Sequence, residues 1–279
     1  MGRRGRRWVG WRWCRIRPDR LVHRWRRLAD VESPTDDRAA PAPVPGPVSS
    51  APAEPRQRWR LTFGRAAAAD GEAPAGRDYT ARWEKALVES GLPLAMTDAG
   101  RFRFALGAPL PARTAGRAEL ADLWLTERVA TWRVREGLDR WLPPGHELMD
   151  LENIWLGAPA LAGRVAAADY VVSLGDAIDR TAIVAAAERL MAADRLVRER
   201  AKGGGVKSYD LRALLISIEI SDAGGDEGTT VRLRSRIHPE LGSGRPDEVI
   251  AALADELGEP LEPVETIRER LVLGDEMMR

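Results

Sequence analysis

The spacing of apolar residues after position 56 predicts an α+β fold in which the element order β-α-β-β-α-β occurs twice. Alternation of apolar and polar residues, typical of strands, gives way to helical spacing and returns in the same order in both halves. Glycine or proline stands where helices are expected to end. We therefore divide the chain into a leader at 1–55, a first module at 56–160 and a second module at 161–279.

The first half begins with a strand in which Trp59, Leu61 and Phe63 alternate with polar residues. A helix is expected at 79–90, because apolar residues recur there at helical spacing and Gly91 then stops it. The same reasoning predicts the remaining elements, which are strands at 101–106 and 119–126, a helix at 130–142 and a strand at 146–156.

The second half repeats this order with a strand at 167–174 and a helix at 180–195. Strands are expected at 206–220, 229–237 and 264–273, and a helix begins at Pro246 and ends at Gly258. This order is that of the ferredoxin-like fold, in which both helices pack on one face of an antiparallel sheet. The sequence thus predicts two tandem ferredoxin-like modules with antiparallel sheets, and one larger continuous sheet stays open as the alternative.

The charge of the chain is unevenly distributed between the leader and the remaining residues. Residues 1–27 hold eleven arginines against one acid, Asp19, so their net charge is +10, whereas the remaining chain carries −9. Tryptophans interleave with these arginines, which fits a nucleic-acid arm that places arginine on phosphates and tryptophan on bases. A solvated tail without a partner and a start codon assigned too far upstream stay open. Residues 39–55 are rich in alanine and proline, so we expect 1–55 to be disordered.

Cysteine and histidine usage argues against a disulfide or metal site. Cys14 is the single cysteine, which excludes an internal disulfide and a multi-cysteine zinc or iron–sulfur site. The three histidines, His23, His146 and His238, do not stand at metal-pair spacing, so we expect no cofactor, with carboxylate-bound magnesium left open. The chain has no apolar stretch of the ~20 residues that a membrane span needs, and we expect a cytoplasmic protein without membrane contact.

Five segments resemble a known bacterial family in their order along the chain: ARWEKALVESGLPLAMT (81–97), AELADLWL (118–125), LPPGHELMDLENIWLGAPAL (142–161), YDLRALL (209–215) and RPDEVIAAL (245–253). The family is that of radical-SAM-linked, or radical-SAM-associated, proteins, a domain of unknown function. The resemblance covers roughly 57–273 and matches family residues at Glu119, Asp122, Asp210 and Arg212. The chain departs from the family at GRDYTARW (76–83) and TDAGRFRFAL (97–106), which lack its Ser-His-Leu-Asp and proline-containing motifs.

The resemblance implies a radical SAM enzyme as partner. The chain lacks the Cys-x3-Cys-x2-Cys run that holds the cluster of such an enzyme, so radical chemistry would come from a separate protein. The implied role is that of a non-catalytic accessory protein that presents a substrate, with RNA as a candidate. A purely structural assembly module is a further hypothesis.

A second, shorter resemblance suggests catalysis. Thr97-Asp98-Ala99-Gly100 resembles the Thr-Asp-x-Gly core of the catalytic loop in tRNA pseudouridine synthases, where the aspartate is the catalytic carboxylate. It implies an RNA-modifying or RNA-processing enzyme that uses Asp98. A polar β-turn explains the same four residues without catalysis, because aspartate and glycine are favoured in turns for backbone reasons.

Arginines alternate with apolar residues on several predicted strands and are expected to project from the opposite face of the sheet. Such a row could bind RNA phosphates, or could form a solvated face that pairs with carboxylates such as Glu219. The arginines concerned are Arg58, Arg60, Arg101, Arg103, Arg232, Arg234 and Arg236. Glu119 and Asp122 fall on opposite faces of one strand, which argues against a paired acid and base. The glycine-rich run at 202–207 lacks P-loop spacing and is expected to be a flexible loop.

Overall fold

The computed structural model describes residues 52–67, 76–111, 113–175, 179–202, 205–222 and 228–277. Most of the predicted leader and the tip of the glycine-rich run lie outside the described residues. Within them, no helix combines the length and apolar character needed to cross a membrane. The chain forms an α+β fold with a mostly antiparallel sheet.

The first half contains the six predicted elements in the predicted order. They are β1 (Gln57–Arg65), α1 (Gly76–Glu89), β2 (Phe104–Leu106), β3 (Ala115–Leu125), α2 (Thr131–Trp141) and β4 (His146–Ile154). The strand expected at 101–106 is shorter, because residues 96–102 form a hairpin in which Met96 pairs with Phe102. Only the last three residues of that prediction then reach β3 as strand β2.

The second half contains the predicted order with additional elements. They are α3 (Leu161–Arg164), β5 (Val165–Leu174), α4 (Arg180–Ala192), β6 (Val197–Lys202), β7 (Gly205–Asp210), β8 (Leu215–Asp222), β9 (Thr229–His238), β10 (Gly242–Ser243), α5 (Pro246–Leu257) and β11 (Pro263–Leu273). The continuous strand predicted at 206–220 is wrong. The Asp210 carboxylate accepts hydrogen bonds from the backbone N–H groups of Leu196 and Arg212, and a 3-10 turn separates β7 from β8.

Nine described strands form one sheet in the order β10-β9-β5-β11-β3-β1-β4, with β2 beside β3 and β8 beside β9. The strands of both halves therefore share a continuous sheet, which is the alternative that the sequence left open. The halves meet where β11 pairs with β3, and this pairing is parallel, unlike the antiparallel sheets that we predicted. It comprises two residue pairs, Ile267 with Ala115 and Arg268 with Gly116.

Each half buries its own apolar cluster against its helices. In the first half Trp59, Leu61 and Phe63 of β1 pack with fully buried Trp83 of α1 and Leu138 of α2. In the second half the buried cluster consists mainly of residues of β5, β9, α4 and α5, among them Tyr170, Val172, Leu233, Ile183, Leu190, Val249 and Leu253. The alternation of strand residues thus leaves the opposite face of each strand for polar side chains.

A buried ion pair connects β3 to β11 where the halves meet. Arg268 donates from Nε to Glu119 Oε1 at 2.8 Å and also from Nη2 to Glu119 Oε2. Arg268 also donates from Nη1 to the carbonyl oxygen of Pro109 and from Nη2 to that of Ala108, each at 3.0 Å. The predicted site residue Glu119 is therefore a structural acceptor. Gly116 gives it room, because a Cβ atom there would lie 2.6 Å from Glu119 Cγ.

Candidate functional site

An arginine–tryptophan–arginine row crosses the sheet of the first half, and we call it the Trp124 row. Arg58 of β1 lies directly opposite Trp124 of β3 in the strand register, and its guanidinium carbon lies 4.6 Å from the centre of the indole ring. On the other side, the backbone N–H of Trp124 donates to the carbonyl oxygen of Arg103 at 3.1 Å. Trp124 is half-buried and Arg103 is exposed, so the row presents an aromatic surface beside a cation.

Asp122 fixes one side of this row by binding two arginines. Its Oδ2 accepts from Arg58 Nη2 at 2.5 Å and from Arg60 Nη2 at 3.0 Å, and its Oδ1 accepts from Arg60 Nε at 2.8 Å. Asp122 is 0% exposed, Arg58 1% and Arg60 7%. The expectation that Arg58 and Arg60 project from an open face is wrong, because Asp122 stands directly across the strand ladder from Arg60. Two buried cations share one anion, so this cluster retains one positive charge.

The segment after β4 closes over Arg58. Its Nη1 donates to the carbonyl oxygen of Ala158 at 2.5 Å and its Nη2 to that of Pro159 at 3.0 Å. The same two residues line a cavity of about 890 Å³. Trp155 is 77% exposed and forms part of the wall of this cavity. The buried arginine therefore joins the Trp124 row to the wall of this cavity.

The predicted residues Thr97, Asp98 and Arg101 lie on the hairpin next to the Trp124 row. The backbone N–H of Ala95 donates to the carbonyl oxygen of Trp124 at 2.8 Å, which anchors the base of the hairpin. The turn is closed by Thr97 N–H to the Arg101 carbonyl at 2.7 Å, and the backbone N–H of Arg101 donates to Thr97 Oγ1 at 3.2 Å. Asp98 is exposed at its tip and makes no hydrogen bond among the described residues. This is the polar turn that aspartate and glycine favour.

The arginines predicted on β9 lie in the second half, away from the Trp124 row. Arg234 binds both carboxylate oxygens of Asp169, at 2.6 and 2.9 Å, and Arg270 donates to the same carboxylate at 3.0 Å. Burial opposes ionisation of Asp169, but these two arginines hold its pKa below the usual value. Arg232 and Arg236 are exposed, and Arg232 faces Glu219 in the register. Charges of both signs therefore occupy this surface.

Two other predicted residues hold the backbone. Asp210 ends β7, as described above. Arg212 donates from Nε to the Met191 carbonyl at 3.1 Å and from Nη1 to the Leu215 carbonyl at 3.3 Å. The structure thus brings together Thr97, Asp98, Arg101, Arg103 and Asp122, and it separates Glu119, Asp210, Arg212, Arg232, Arg234 and Arg236 from them. Among the described residues, no group of three or more His, Cys, Asp or Glu side chains could hold a metal ion.

All three tyrosines are expected to ionise above the ordinary pKa of 10. Burial raises the pKa of Tyr79 and of Tyr170. Burial, followed by the nearby Glu248 carboxylate, raises the pKa of Tyr209 to about 12. Because the fold favours the protonated phenol, the contribution of Tyr209 to stability is complete below pH 10 and is lost as pH rises through about 12. Ultraviolet absorbance of phenolate across a pH titration measures the tyrosine pKa values. Urea-unfolded protein should titrate near pH 10, and coincident native and unfolded curves would contradict the expectation.

The fold and the Trp124 row describe an α+β protein with a candidate nucleic-acid interface on its sheet. A family model described as "Uncharacterized protein conserved in bacteria (DUF2344)" matches residues 74–248. The match covers more than half of the chain, and the chain belongs to this family.

Comparison with solved structures gives matches of low similarity, of which two are described. The chain is 10% identical to a chain in the crystal structure of a Cbf5–Nop10–Gar1 complex, with a TM-score of 0.40, 76% of this chain covered and 48% of that chain. It is 12% identical to a chain of the archaeal box H/ACA sRNP Nop10–Cbf5 complex, with a TM-score of 0.39 and coverages of 76% and 47%. The chain thus spans about half the length of these chains, and no functional conclusion follows from likeness at this level. Comparison with curated proteins gives no match.

Proposed function

We propose that the chain is a non-catalytic accessory protein that holds single-stranded RNA on the Trp124 row and presents it to a separate radical SAM enzyme in the cytoplasm. The observation that carries the RNA part is a half-buried indole that packs on the Arg58 guanidinium and whose backbone pairs with that of the exposed Arg103. The partner part rests on the resemblance of the five segments described above to radical-SAM-associated proteins.

The Trp124 row has the two features that single-strand binding requires. An indole can stack on any base, a contact worth about 1–3 kcal/mol per base, and arginine adds charge and hydrogen bonds to phosphate. Arg58 supports the ring from one side and is itself held by Asp122, so Trp124 needs little reordering on binding. Arg103 and Arg101 supply the exposed cations next to it.

An accessory role fits the observation that the buried carboxylates Asp122 and Glu119 form ion pairs. Asp122 accepts from two arginines and Glu119 accepts from Arg268, so their oxygens serve ion pairs. As part of this proposal, each half is a ferredoxin-like module, supported by the strand neighbours β4-β1-β3-β2 in the first half and β11-β5-β9-β8 in the second. Such modules can bind RNA on a sheet face, and here Trp124 lies half-buried on that face beside the buried Arg58.

Replacing Trp124 by alanine is expected to weaken binding of an oligouridylate by about 5- to 150-fold, the equivalent of one lost stacking contact. Fluorescence anisotropy with a labelled oligonucleotide at several salt concentrations measures the affinity and its salt dependence. Trp132→Ala is the matched control, because Trp132 is 69% exposed on α2, and it should bind as the unaltered protein does. Equal losses in both variants, or no saturable binding by the unaltered protein, would reject the RNA role.

The radical SAM partner is tested by affinity capture of the tagged full chain from its host. We expect co-purification of a protein with a Cys-x3-Cys-x2-Cys run. Capture under crosslinking conditions that recovers other proteins but no such protein would reject the partnership.

The second candidate function is an RNA-modifying or RNA-processing enzyme that uses Asp98. Its support is the position of Asp98 on an exposed turn anchored to Trp124, where a bound base could approach it. Asp98→Asn should abolish one nucleoside modification in host RNA analysed by mass spectrometry. An unchanged nucleoside profile would reject catalysis and leave the accessory role in place.

A further inference from the structure

A second cleft opens at the opposite end of β1 from Arg58. It has a volume of about 480 Å³, which lies within the range of small-ligand sites, roughly 300–1,000 Å³. Three glycines, Gly64, Gly116 and Gly145, line it, and the side chain of Glu119 packs against Gly116. The side chains that bring charge to the cleft are Arg65, Arg117 and Glu147, and His146 adds a polar ring.

Arg65 is held in place without a carboxylate. Its guanidinium carbon lies 4.6 Å from the centre of the Tyr79 ring, and its side chain is half-buried. It forms no ion pair with any described residue. A partly buried guanidinium that stacks on an aromatic ring keeps its planar set of N–H donors free for a ligand.

A chain of contacts fixes the ring beneath Arg65. His146 Nδ1 lies 3.0 Å from the Pro143 carbonyl and 3.2 Å from that of Pro144, so this nitrogen carries the proton, because carbonyl oxygens only accept. His146 Nε2 is then an acceptor, and it receives the Tyr79 hydroxyl hydrogen bond at 3.0 Å. The turn before β4 therefore holds the His146 ring, His146 holds the Tyr79 hydroxyl, and the Tyr79 ring supports the guanidinium of Arg65.

The second guanidinium of the cleft is partly engaged. Arg117 donates from Nη1 to both oxygens of Glu269, at 2.8 and 2.9 Å, and its other N–H groups stay available. Exposed Glu147 is the opposing charge in the lining. Burial lowers the pKa of His146, hydrogen bonds to the Pro144 and Pro143 carbonyls oppose this, and the positive charges of Arg65 and Arg82 lower it further.

We infer that this cleft binds a phosphate-class anion, with Arg65 as its main ligand and Arg117 as the second. Guanidinium groups match phosphate oxygens in a two-pronged geometry that lysine cannot provide. Gly64 and Gly145 place no side chain in the cleft beside Arg65, which leaves room for a tetrahedral group. This site goes beyond the RNA role of the Trp124 row and does not rest on it.

Isothermal titration calorimetry with inorganic phosphate, and with 5′-phosphorylated and 5′-hydroxyl oligouridylates, tests the inference. We expect saturable binding of inorganic phosphate or of the phosphorylated oligonucleotide, weakened about tenfold or more in Arg65→Gln. Arg133→Gln removes an exposed guanidinium on α2 and should bind as the unaltered protein does. Binding of inorganic phosphate would identify free phosphate as a ligand, whereas binding of the phosphorylated oligonucleotide alone would identify a terminal phosphomonoester.

Equal binding by Arg65→Gln and the unaltered protein would overturn the inference, as would equal weakening in Arg133→Gln or no saturable heat with any of the three probes. If Arg65→Gln fails to fold, Arg65→Lys keeps the charge and loses the two-pronged geometry, and it should weaken binding several-fold. Trp124→Ala should leave inorganic phosphate binding unchanged, which separates this site from the RNA proposal.

Discussion

Replacing Asp122 by alanine is expected to lower the free energy of unfolding by about 3–5 kcal/mol, the cost of leaving a buried charge without its partner. Asp122 is the shared acceptor of Arg58 and Arg60, so its removal leaves two buried guanidiniums without their carboxylate. Arg58 keeps the carbonyls of Ala158 and Pro159, but these carry no full charge. Urea denaturation followed by circular dichroism measures the change.

The matched control for this prediction is Asp150→Ala on β4. Asp150 is exposed and forms no ion pair with any described residue, so the expected change is within about 0.5 kcal/mol. A triple variant with apolar residues at 58, 60 and 122 should recover much of the loss, because replacing a whole buried ionic cluster is often neutral. Equal stabilities of Asp122→Ala and Asp150→Ala would contradict the prediction that Asp122 stabilises the fold by pairing with the two buried arginines.

Replacing Glu119 by alanine is expected to cost about 3–5 kcal/mol for the same physical reason, and also to uncouple the two halves. Glu119 on β3 binds Arg268 on β11, and both side chains are almost completely buried. The two strands share two residue pairs of backbone pairing, and this ion pair adds a buried side-chain contact between them. Hydrogen exchange should show earlier opening of β11 amides than of β1 amides.

The control for Glu119 is Glu269→Ala, which breaks an ion pair between the same two strands. Glu269 on β11 binds Arg117 on β3, but Arg117 is 58% exposed and water screens the pair. Its loss should cost about 0–1 kcal/mol. Similar losses from the two substitutions, or uniform hydrogen exchange in Glu119→Ala, would contradict the proposed coupling.

The elements were predictable because their signals are local. The alternation of Trp59, Leu61 and Phe63 gave β1, and Pro246 and Gly258 gave the ends of α5, where Gly258 adopts a left-handed φ of 74°. The break after Asp210 was missed, although the apolar positions change there from odd numbers, as in Tyr209 and Leu211, to even numbers, as in Ile216. The side-chain hydrogen bonds of Asp210 and the 3-10 turn after it interrupt the strand. The joining of both halves into one sheet has no sequence signal, since strand pairing is made by backbone groups.

The Trp124 row was missed for a related reason. Trp124 stands at a position of β3 where alternation predicts a polar residue, and nothing local indicates that Arg58 lies opposite it. The register between strands more than 60 residues apart decides which charges meet, as Asp122 and Arg58 show. An aromatic residue on the polar side of a predicted strand is the one sequence signal that indicates this row.

The position of β11 affects how the protein is made. β11 is synthesised after the ten other described strands, yet it lies inside the sheet between β5 and β3. While the ribosome still holds this segment, β5 has an unpaired edge, and so does the start of β3 at Ala115 and Gly116, whereas the later part of β3 already pairs with β2. Such edges can capture a neighbouring nascent chain. The first half can bury its core during translation, whereas the sheet closes only after the C-terminal strand has left the exit tunnel.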